Sequence, residues 1–351
     1  MSIARRFPEC WGHRGASVAY PENTLASFEA AIRDGSDGIE SDVHVSTDDV
    51  VIMFHDPSLE RTTNGEASAG LIREHSWYGP DGMEHLRTTK KPQQSIPTFV
   101  ETVALLMKPE NRHVKFNVDV KAWNDPPRLF SLMHKIISAH PNWEVDLAPR
   151  ILLGLWHPIF IEHAKTLLPY CKRSFIGFDI YVAQTYFWND VDVFSIHFGA
   201  LVSAEGERFR KECQRDGKKV MVWTVNDPRW MIEAVTWDVD VILTDVPRTW
   251  HTLRKAFQTD YDKVISHHSR SFLWTDWKLY SGVQKAFRYA VWQRLTKAAG
   301  PFDLSQPRPP VSIPAAPISQ DSVIKTYKNH LLVPCAAAVI VWALFSAEFL
   351  G

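Results

Sequence analysis

Short apolar segments alternate with helix-like segments along the first 257 residues, and this alternation most constrains the fold of the chain. The predicted strands are Cys10–His13, Gly38–Val45 with Val50–His55 beside it, His113–Val120, Ile151–Leu155, Ser174–Phe178, Val193–His197, Lys219–Val225 and Val239–Thr244. The predicted helices are Thr24–Asp34, Thr98–Met107, Pro127–Ala139, Pro158–Leu168, Glu205–Asp216, Pro228–Thr236 and Pro247–Phe257. About eight strand–helix units in one chain suggest a (β/α)8 TIM barrel.

A doubly wound open sheet is the alternative arrangement of the same units. Polar residues and a tryptophan recur at the ends of many different predicted strands: His13, Glu40, Asp42, Asp119, His197, Trp223 and Asp245. In a barrel the C-terminal strand ends converge on one mouth, whereas an open sheet would spread these side chains along a crevice. We therefore favour a barrel over residues 8–257.

Residues 57–96 interrupt the alternation after the second strand. Turn signals recur here without sustained periodicity, as in Thr62–Gly65 and Tyr78–Gly82. We predict an insertion that passes over the barrel mouth and shapes the substrate entrance.

The chain changes character after Phe257, and residues 258–299 form a predicted helical extension rich in aromatic and basic residues. Within Ser271–Ala298, six apolar residues fall near one helical face: Leu273, Trp277, Tyr280, Phe287, Val291 and Leu295. One interpretation is an outer helix packed on the barrel. The other is an interfacial helix lying on a membrane, which the scattered basic residues favour less.

Residues 300–330 are rich in proline and predict a flexible linker. Residues 331–350 follow as a predicted membrane anchor, because Leu331–Ala347 contains 17 residues without a charge. Lys325 and Lys328 flank this segment on its N-terminal side, which favours a cytosol-facing barrel. A spanning helix, a monotopic segment and a buried core helix are the alternatives.

Composition limits the location and the partners of the protein. A formal net charge of -1 argues against a nucleic-acid partner. The four cysteines form no C-x-x-C pair, which fits a reducing compartment, and Met1–Pro8 lacks the long apolar run of a secretory signal. We expect a protein of an intracellular membrane, with endoplasmic reticulum, lipid droplet and mitochondrion left open.

Glu40-Ser41-Asp42 places two carboxylates on one face of a strand, because residues i and i+2 point the same way. Such close acids repel each other unless a cation lies between them, and oxygen ligands suit Mg²⁺ or Ca²⁺. Asp119 ends the next long strand and would complete a three-carboxylate site, with Lys121 beside it to meet a phosphate oxygen. The alternative for the first pair is an exposed strand face with salt-bridged acids.

Two histidines and an arginine follow apolar strands near the carboxylates. His13-Arg14-Gly15 follows the first strand, and His55-Asp56 ends the segment that begins at Val50. Arginine binds phosphate in a bidentate manner, and two histidines near one phosphate form an acid–base pair. Neither a G-x-S-x-G motif nor a P-loop is present in the sequence, which argues against an α/β-hydrolase or an ATPase.

Together these motifs resemble the glycerophosphodiester phosphodiesterase family. The resemblance covers roughly residues 8–257 and rests on five motifs: His13-Arg14-Gly15, Pro21-Glu22-Asn23-Thr24, Glu40-x-Asp42, His55-Asp56 and Leu243-Thr244-Asp245-x-Pro247. Three further segments look like the fungal phospholipases C specific for phosphatidylglycerol: Gly154-Leu155-Trp156, Ser195–Phe198 and Val222–Asn226. The third metal position is commonly Glu in the family and is Asp119 here.

The resemblance implies a TIM barrel, one divalent cation (Mg²⁺ or Ca²⁺) and two catalytic histidines. The implied metal ligands are Glu40, Asp42 and Asp119; the implied acid–base pair is His13 and His55; the implied phosphate ligands are Arg14 and Lys121. Trp223 and His197 are further candidates for substrate binding, with barrel core and rim as their structural alternatives. The expected reaction is phospholipase C cleavage of phosphatidylglycerol into diacylglycerol and glycerol phosphate. Hydrolysis of soluble glycerophosphodiesters, release of lysophosphatidic acid, and a non-catalytic lipid-binding barrel are the alternatives.

Overall fold

A computed structural model describes residues 6–66 and 70–302, and within them nine strands form one sheet. The strands are β1 Glu9–Gly12, β2 Gly38–Val45, β3 Val51–Met53, β4 Lys115–Val120, β5 Ile151–Leu155, β6 Lys172–Gly177, β7 Val193–His197, β8 Lys219–Trp223 and β9 Val241–Thr244. Their order is β1-β9-β8-β7-β6-β5-β4-β2-β3, and β1 also pairs with β2.

The pairing of β1 with both β2 and β9 closes the sheet. Trp11 is opposite Gly38 on one side and opposite Leu243 on the other, and both pairings are parallel. Only β3 is antiparallel, and it lies on β2 with Val43 opposite Met53. The described strands therefore form a closed eight-stranded parallel barrel with one added strand. The barrel prediction is confirmed, and the open sheet is excluded.

Helices surround the barrel. They are α1 Leu25–Arg33, α2 Phe99–Met107, α3 Pro126–Ser138, α4 Trp143–Asp146, α5 Ile161–Leu167, α6 Ile180–Val182, α7 Phe198–Leu201, α8 Ala204–Arg215, α9 Pro228–Thr236, α10 Pro247–Thr259, α11 Tyr261–Ser266, α12 Phe272–Thr275 and α13 Ser281–Ala299. The side chains of Thr24 and Thr98 accept hydrogen bonds from the N3 amides of α1 and α2, so these residues cap the predicted helices rather than begin them.

The core has two layers. A large apolar cluster fills the space between strands and helices, with Phe28, Phe116 and Phe194 fully buried in it. A second cluster fills the barrel interior and includes Leu152 and Met221.

Helix α13 contributes Phe287 and Val291 to the interior cluster. The ring of Phe287 lies 4.4 Å from that of Phe178, at the end of β6. The aromatic and basic extension therefore packs on the barrel, in agreement with the first interpretation, but it covers strand ends rather than the outer wall. The single helix predicted over Ser271–Ala298 was wrong, since the structure has α12, a 3₁₀ turn at Trp277–Leu279 and then α13.

The insertion of residues 57–96 has a small core of its own. Leu59, Ile72, Trp77 and Met83 pack against Ile52 of β3, and 3₁₀ turns occupy Ile72–Glu74 and Met83–His85. Lys90 Nζ donates to the backbone oxygens of Ser17 and Val18, which belong to the segment after β1. The insertion therefore reaches the C-terminal side of the barrel.

Across residues 6–66 and 70–302, no helix combines the length and the apolar character that crossing a bilayer requires. The predicted linker beyond residue 302 and the predicted anchor over 331–350 lie outside the described residues.

Candidate metal and phosphate site

Three buried carboxylates meet at the C-terminal end of the barrel. Glu40 and Asp42 project from β2 in the predicted i, i+2 relation, and Asp119 of β4 is the parallel partner of Asp42. One carboxylate oxygen from each lies within 4.8 Å of the other two. All three residues are almost fully shielded from solvent, which rules out the alternative of an exposed, salt-bridged strand face.

Three carboxylates buried this close together affect one another's pKa values and attract a cationic side chain. Burial, reinforced by the neighbouring Asp42 carboxylate, raises the pKa of Glu40 well above its ordinary value. Burial also raises the pKa of Asp119. Lys121 bridges the cluster, with Nζ 2.7 Å from Asp42 Oδ1 and 2.9 Å from Asp119 Oδ2. The Lys121 ammonium group therefore offsets part of the negative charge of the cluster.

The donor set fits a hard divalent cation. All three ligand atoms are carboxylate oxygens, the ligand type that Mg²⁺ and Ca²⁺ prefer. Burial, and then the neighbouring Asp42 carboxylate, raises the pKa of Glu40, and a bound cation would favour its charged form. The residues present therefore fit the predicted metal.

Arg14 joins this cluster through a tight turn after β1. Its φ angle is 54° and that of Gly15 is 80°, so two successive residues adopt the left-handed region. The turn places the Arg14 amide 2.8 Å from Glu40 Oε2 and directs the guanidinium toward Asp42 and Glu22. Among the described residues Arg14 Nε has no hydrogen-bond partner, and this buried donor points to a further anionic or polar acceptor.

Asn23 holds the other side of Asp42. Its Nδ2 donates to Asp42 Oδ2 over 2.8 Å, and its Oδ1 accepts a hydrogen bond from Ser41 Oγ over 2.6 Å. The amide is therefore fixed in one orientation by residues on β2. This contact orients the carboxylate and leaves Asp42 Oδ1 to Lys121.

His13 is oriented by the carboxylate of Asp245, which follows the last strand of the barrel. Its Nδ1 donates to Asp245 Oδ1 over 2.7 Å. Asp245 also accepts hydrogen bonds from Ser17 Oγ over 2.7 Å and from Asn226 Nδ2 over 2.5 Å. With Nδ1 bonded in this way, Nε2 of His13 is the ring atom left for proton transfer.

His55 has an equivalent partner next to it in the chain. Its Nδ1 donates to Asp56 Oδ1 over 2.6 Å, and Asp56 is in turn held by the guanidinium of Arg61 from the insertion. Arg61 also contacts Glu22, which pairs with Arg14. The insertion therefore contributes to the predicted site by fixing Asp56 and Glu22.

The two imidazoles differ in their electrostatic surroundings. Burial and then the cations of Arg14 and Lys121 lower the pKa of His55 to about 3. Burial also disfavours the charged form of His13, but the Asp245 carboxylate overcomes this effect and raises the pKa of His13. The surroundings of the two imidazoles therefore shift their pKa values in opposite directions, downward for His55 and upward for His13.

Trp223 lies one side chain away from the carboxylate cluster, because its ring contacts Trp156, which donates to Asp119. His197 packs against Trp223. Both are only 6% exposed, and their rings pack with Phe178 beneath Phe287 of α13. Burial lowers the pKa of His197 to about 3, and its Nδ1 accepts a hydrogen bond from the Gly199 amide. The predicted roles of these two residues in substrate binding stay predictions.

Several residues of the site were not among the predicted ones: Glu22, Asn23, Asp56, Arg61, Asp245 and Trp156. Trp156 Nε1 donates to Asp119 Oδ1 over 2.6 Å, and its ring lies 5.8 Å from Trp223. Five of the six lie within the motifs that carry the family resemblance, although no role was assigned to them. Arg61 lies outside those motifs, in the irregular insertion, where no sequence pattern marked it.

Comparison with known proteins agrees with this geometry. The model of the "Glycerophosphoryl diester phosphodiesterase family" matches residues 13–249. The chain is 26% identical over 249 residues to a glycerophosphodiester phosphodiesterase of Caldanaerobacter subterraneus subsp. tengcongensis, covering 68% of this chain and 93% of that relative.

Solved structures show the same fold. A phosphodiesterase of Oleispira antarctica, in complex with the product sn-glycerol-3-phosphate, has a TM-score of 0.59 at 22% identity and covers 71% of this chain and 97% of its own. A glycerophosphodiester phosphodiesterase of Agrobacterium tumefaciens has a TM-score of 0.56 at 21% identity, covering 70% and 100%.

Proposed function

Because the chain belongs to the glycerophosphoryl diester phosphodiesterase family and is a phosphoric diester hydrolase, we propose that it cleaves the headgroup phosphodiester of a phospholipid. The substrate is phosphatidylglycerol, and the products are diacylglycerol and glycerol phosphate. The observation that carries the proposal is the cluster of Glu40, Asp42 and Asp119 beside two histidines that are each held by a carboxylate.

Two cationic side chains are placed to bind the phosphodiester. Arg14 Nε lies 3.6 Å from Asp42 Oδ2 without a hydrogen-bond partner, and Lys121 Nζ lies between two carboxylates of the cluster. A divalent cation held by Glu40, Asp42 and Asp119 supplies Lewis-acid stabilisation of the phosphoryl oxygens when bound. Arg14 and Lys121 neutralise the remaining negative charge of the phosphodiester.

His55 and His13 divide the proton transfers in this proposal. Neutral His55 takes the proton of the free headgroup hydroxyl next to the phosphate, and that oxygen forms a bond to phosphorus. The bond from phosphorus to the diacylglycerol oxygen breaks, and His13 protonates that oxygen. Water then opens the cyclic phosphate with the two roles reversed. The opposite pKa shifts of the two imidazoles support this assignment.

One feature supports a lipid rather than a soluble diester. The free hydroxyl next to the phosphate, which the cyclic step requires, is present both in phosphatidylglycerol and in soluble glycerophosphodiesters and does not distinguish them. The sequence, however, continues past residue 302 into Leu331–Ala347, which is uncharged over 17 residues. We propose that this segment holds the barrel at an intracellular membrane, where the headgroups are concentrated.

Purified full-length protein with vesicles of single phospholipids, supplied with either Mg²⁺ or Ca²⁺, tests the substrate. We expect diacylglycerol from phosphatidylglycerol and none from phosphatidylcholine, with His55→Ala as the inactive control. Activity confined to soluble glycerophosphodiesters would reject the lipid substrate while leaving the phosphodiesterase intact. Release of phosphatidic or lysophosphatidic acid would place the cleaved bond on the other side of phosphorus.

Truncation after Asn329 tests the anchor separately. The shortened protein should leave the membrane fraction and keep its activity on a short-chain phosphatidylglycerol. If it stays with membranes, the attachment lies within the remaining residues.

A further inference from the structure

Three aromatic side chains stand exposed in the extension just before α13. Trp274 is 80% exposed, Trp277 40% and Tyr280 48%, within seven residues of sequence. We refer to Trp274, Trp277 and Tyr280 as the aromatic rim. Tyr280 Oη donates to the Trp274 backbone oxygen over 2.6 Å, so the rim is a folded unit rather than a run of loose side chains.

The segment that carries the aromatic rim is fixed beside the barrel mouth. Arg270 Nη2 lies 2.6 Å from Glu233 of α9, and the Arg229 guanidinium lies over the Phe272 ring. Gln284 packs so closely on Gly199, directly after β7, that a Cβ there would lie 2.4 Å from Gln284 Nε2. The rim is therefore attached to the elements that follow β7 and β8, at the end of the barrel where the carboxylates lie.

Other exposed apolar side chains lie at the same end. Val18 follows β1 and is 60% exposed, and Ile159 follows β5. Their positions place apolar groups on different sides of one mouth.

The charge of the segment is opposite to that of the whole chain. Residues 271–302 contain five basic residues and one acidic residue, although the protein has a formal net charge of -1. Lys285 is exposed next to the aromatic rim. Tryptophan and tyrosine favour the headgroup level of a bilayer, and nearby basic residues favour anionic lipids.

We infer that the aromatic rim inserts into the headgroup region of an anionic bilayer and turns the barrel mouth toward it. This inference rests on the proposed lipid substrate and extends it, because attachment at one point of the chain holds a domain near a surface but does not by itself set which face is turned toward it. A rim at the mouth would place headgroups at the entrance of the site.

Hydroxyl-radical footprinting of the full-length chain measures this contact without relying on catalysis. On vesicles of phosphatidylglycerol and phosphatidylcholine, we expect oxidation of all three rim side chains to fall by roughly threefold or more. Tyr170, which is 53% exposed and precedes β6 at the opposite end of the barrel, is the internal control and should not change. Equal oxidation with and without vesicles would overturn the inference, and so would protection that appears at high protein concentration without lipid, which indicates a second copy.

A kinetic comparison separates this inference from the proposed function. The triple variant Trp274→Ser, Trp277→Ser, Tyr280→Ser should cleave vesicle phosphatidylglycerol roughly tenfold more slowly and a soluble glycerophosphodiester at the normal rate. Tyr170→Ser is the matched control and should behave as the wild type. Unchanged vesicle cleavage in the triple variant would reject the membrane contact of the rim and leave the proposed function standing. Protection of the rim by vesicles, in a wild-type protein that cleaves no phosphatidylglycerol, would reject phosphatidylglycerol as the substrate and leave the membrane contact standing.

Discussion

The ends of β1, β2 and β4 carry charged side chains, whereas the ends of β6, β7 and β8 carry aromatic ones beneath α13. On the polar side, Glu40, Asp42 and Asp119 lie close enough to share one ion. On the apolar side, Phe287 of α13 packs against Phe178 and near Trp223. Both sides belong to one closed barrel, so position at a strand end does not by itself assign a residue to catalysis.

This difference shows which strand ends at the barrel mouth are covered by the extension after the barrel. Phe287 and Val291 pack with Phe178 and Trp223 over the apolar strand ends, whereas Glu40, Asp42 and Asp119 lie together at other strand ends. Burial lowers the pKa of Arg294 near the end of α13, and the Asp56 carboxylate partly offsets this.

Substitutions of histidines on the charged and the apolar side of the mouth should differ most in their effect on kcat. We expect His55→Ala and His13→Ala each to lower kcat by ~100-fold or more, the range for a lost general acid or base. His197→Asn keeps an acceptor for the Gly199 amide and should lose far less. The measurement is kcat and KM on a soluble glycerophosphodiester. An equal loss of kcat for His197→Asn would contradict the assignment of catalysis to the charged side of the mouth.

Phe287→Ala should mainly affect stability. Removing this buried ring, which is 3% exposed, should lower the free energy of unfolding by about 3–5 kcal/mol, because it leaves a cavity at the top of the barrel interior. Urea unfolding measures the loss, with exposed Lys285→Ala on the same helix as the control. If the Phe287→Ala protein keeps its stability but loses its turnover, α13 acts in catalysis rather than in stability.

Asp245→Asn should reduce the rate by roughly 10- to 100-fold, the usual effect of losing an orienting partner. It should also change the pH profile. Asp245 raises the pKa of His13, and the proposed acid must be protonated, so activity should fall as pH rises through that pKa. In the variant this alkaline limb should move to lower pH. Asp227→Asn, at the cap of α9, is the matched control, and an unmoved limb in Asp245→Asn would contradict the proposed role of His13.

Metal-free stability should reveal the repulsion among the carboxylates. The folded-state pKa values of Glu40 and Asp119 are raised, so their contribution is fully present below their ordinary pKa range and is lost as pH rises through the raised values. In EDTA, the wild type should therefore lose about 1–2 kcal/mol relative to Glu40→Gln between about pH 5 and about pH 9. Parallel Tm curves for the two proteins would argue against this account. Adding Mg²⁺ or Ca²⁺ should raise Tm more in the wild type.

The sequence predicted the carboxylate cluster because its signals are local. Glu40 and Asp42 share a face through the two-residue period of a strand, and the next long strand supplied Asp119. The partner of His13 was harder to assign, since Asp245 lies 232 residues away and meets it only where β9 closes on β1. Arg61 and Trp156 were missed for other reasons, since Arg61 lies in the irregular insertion and Trp156, directly after β5, is apolar enough to be taken for core.

Residue periodicity and strand-end chemistry were sufficient to predict the barrel and the meeting of Glu40, Asp42 and Asp119 at one end of it. The metal-binding, acid–base and phosphate-binding roles given to the site residues stay predictions. Periodicity and strand-end chemistry could not predict that α13 covers Trp223 and His197, because a strand end looks alike in sequence whether it opens to substrate or lies under a helix. Closure of the barrel and docking of α13 bring together residues far apart in the chain. Burial and charge at those contacts then separate the two histidines electrostatically and divide the mouth into a charged and an apolar side.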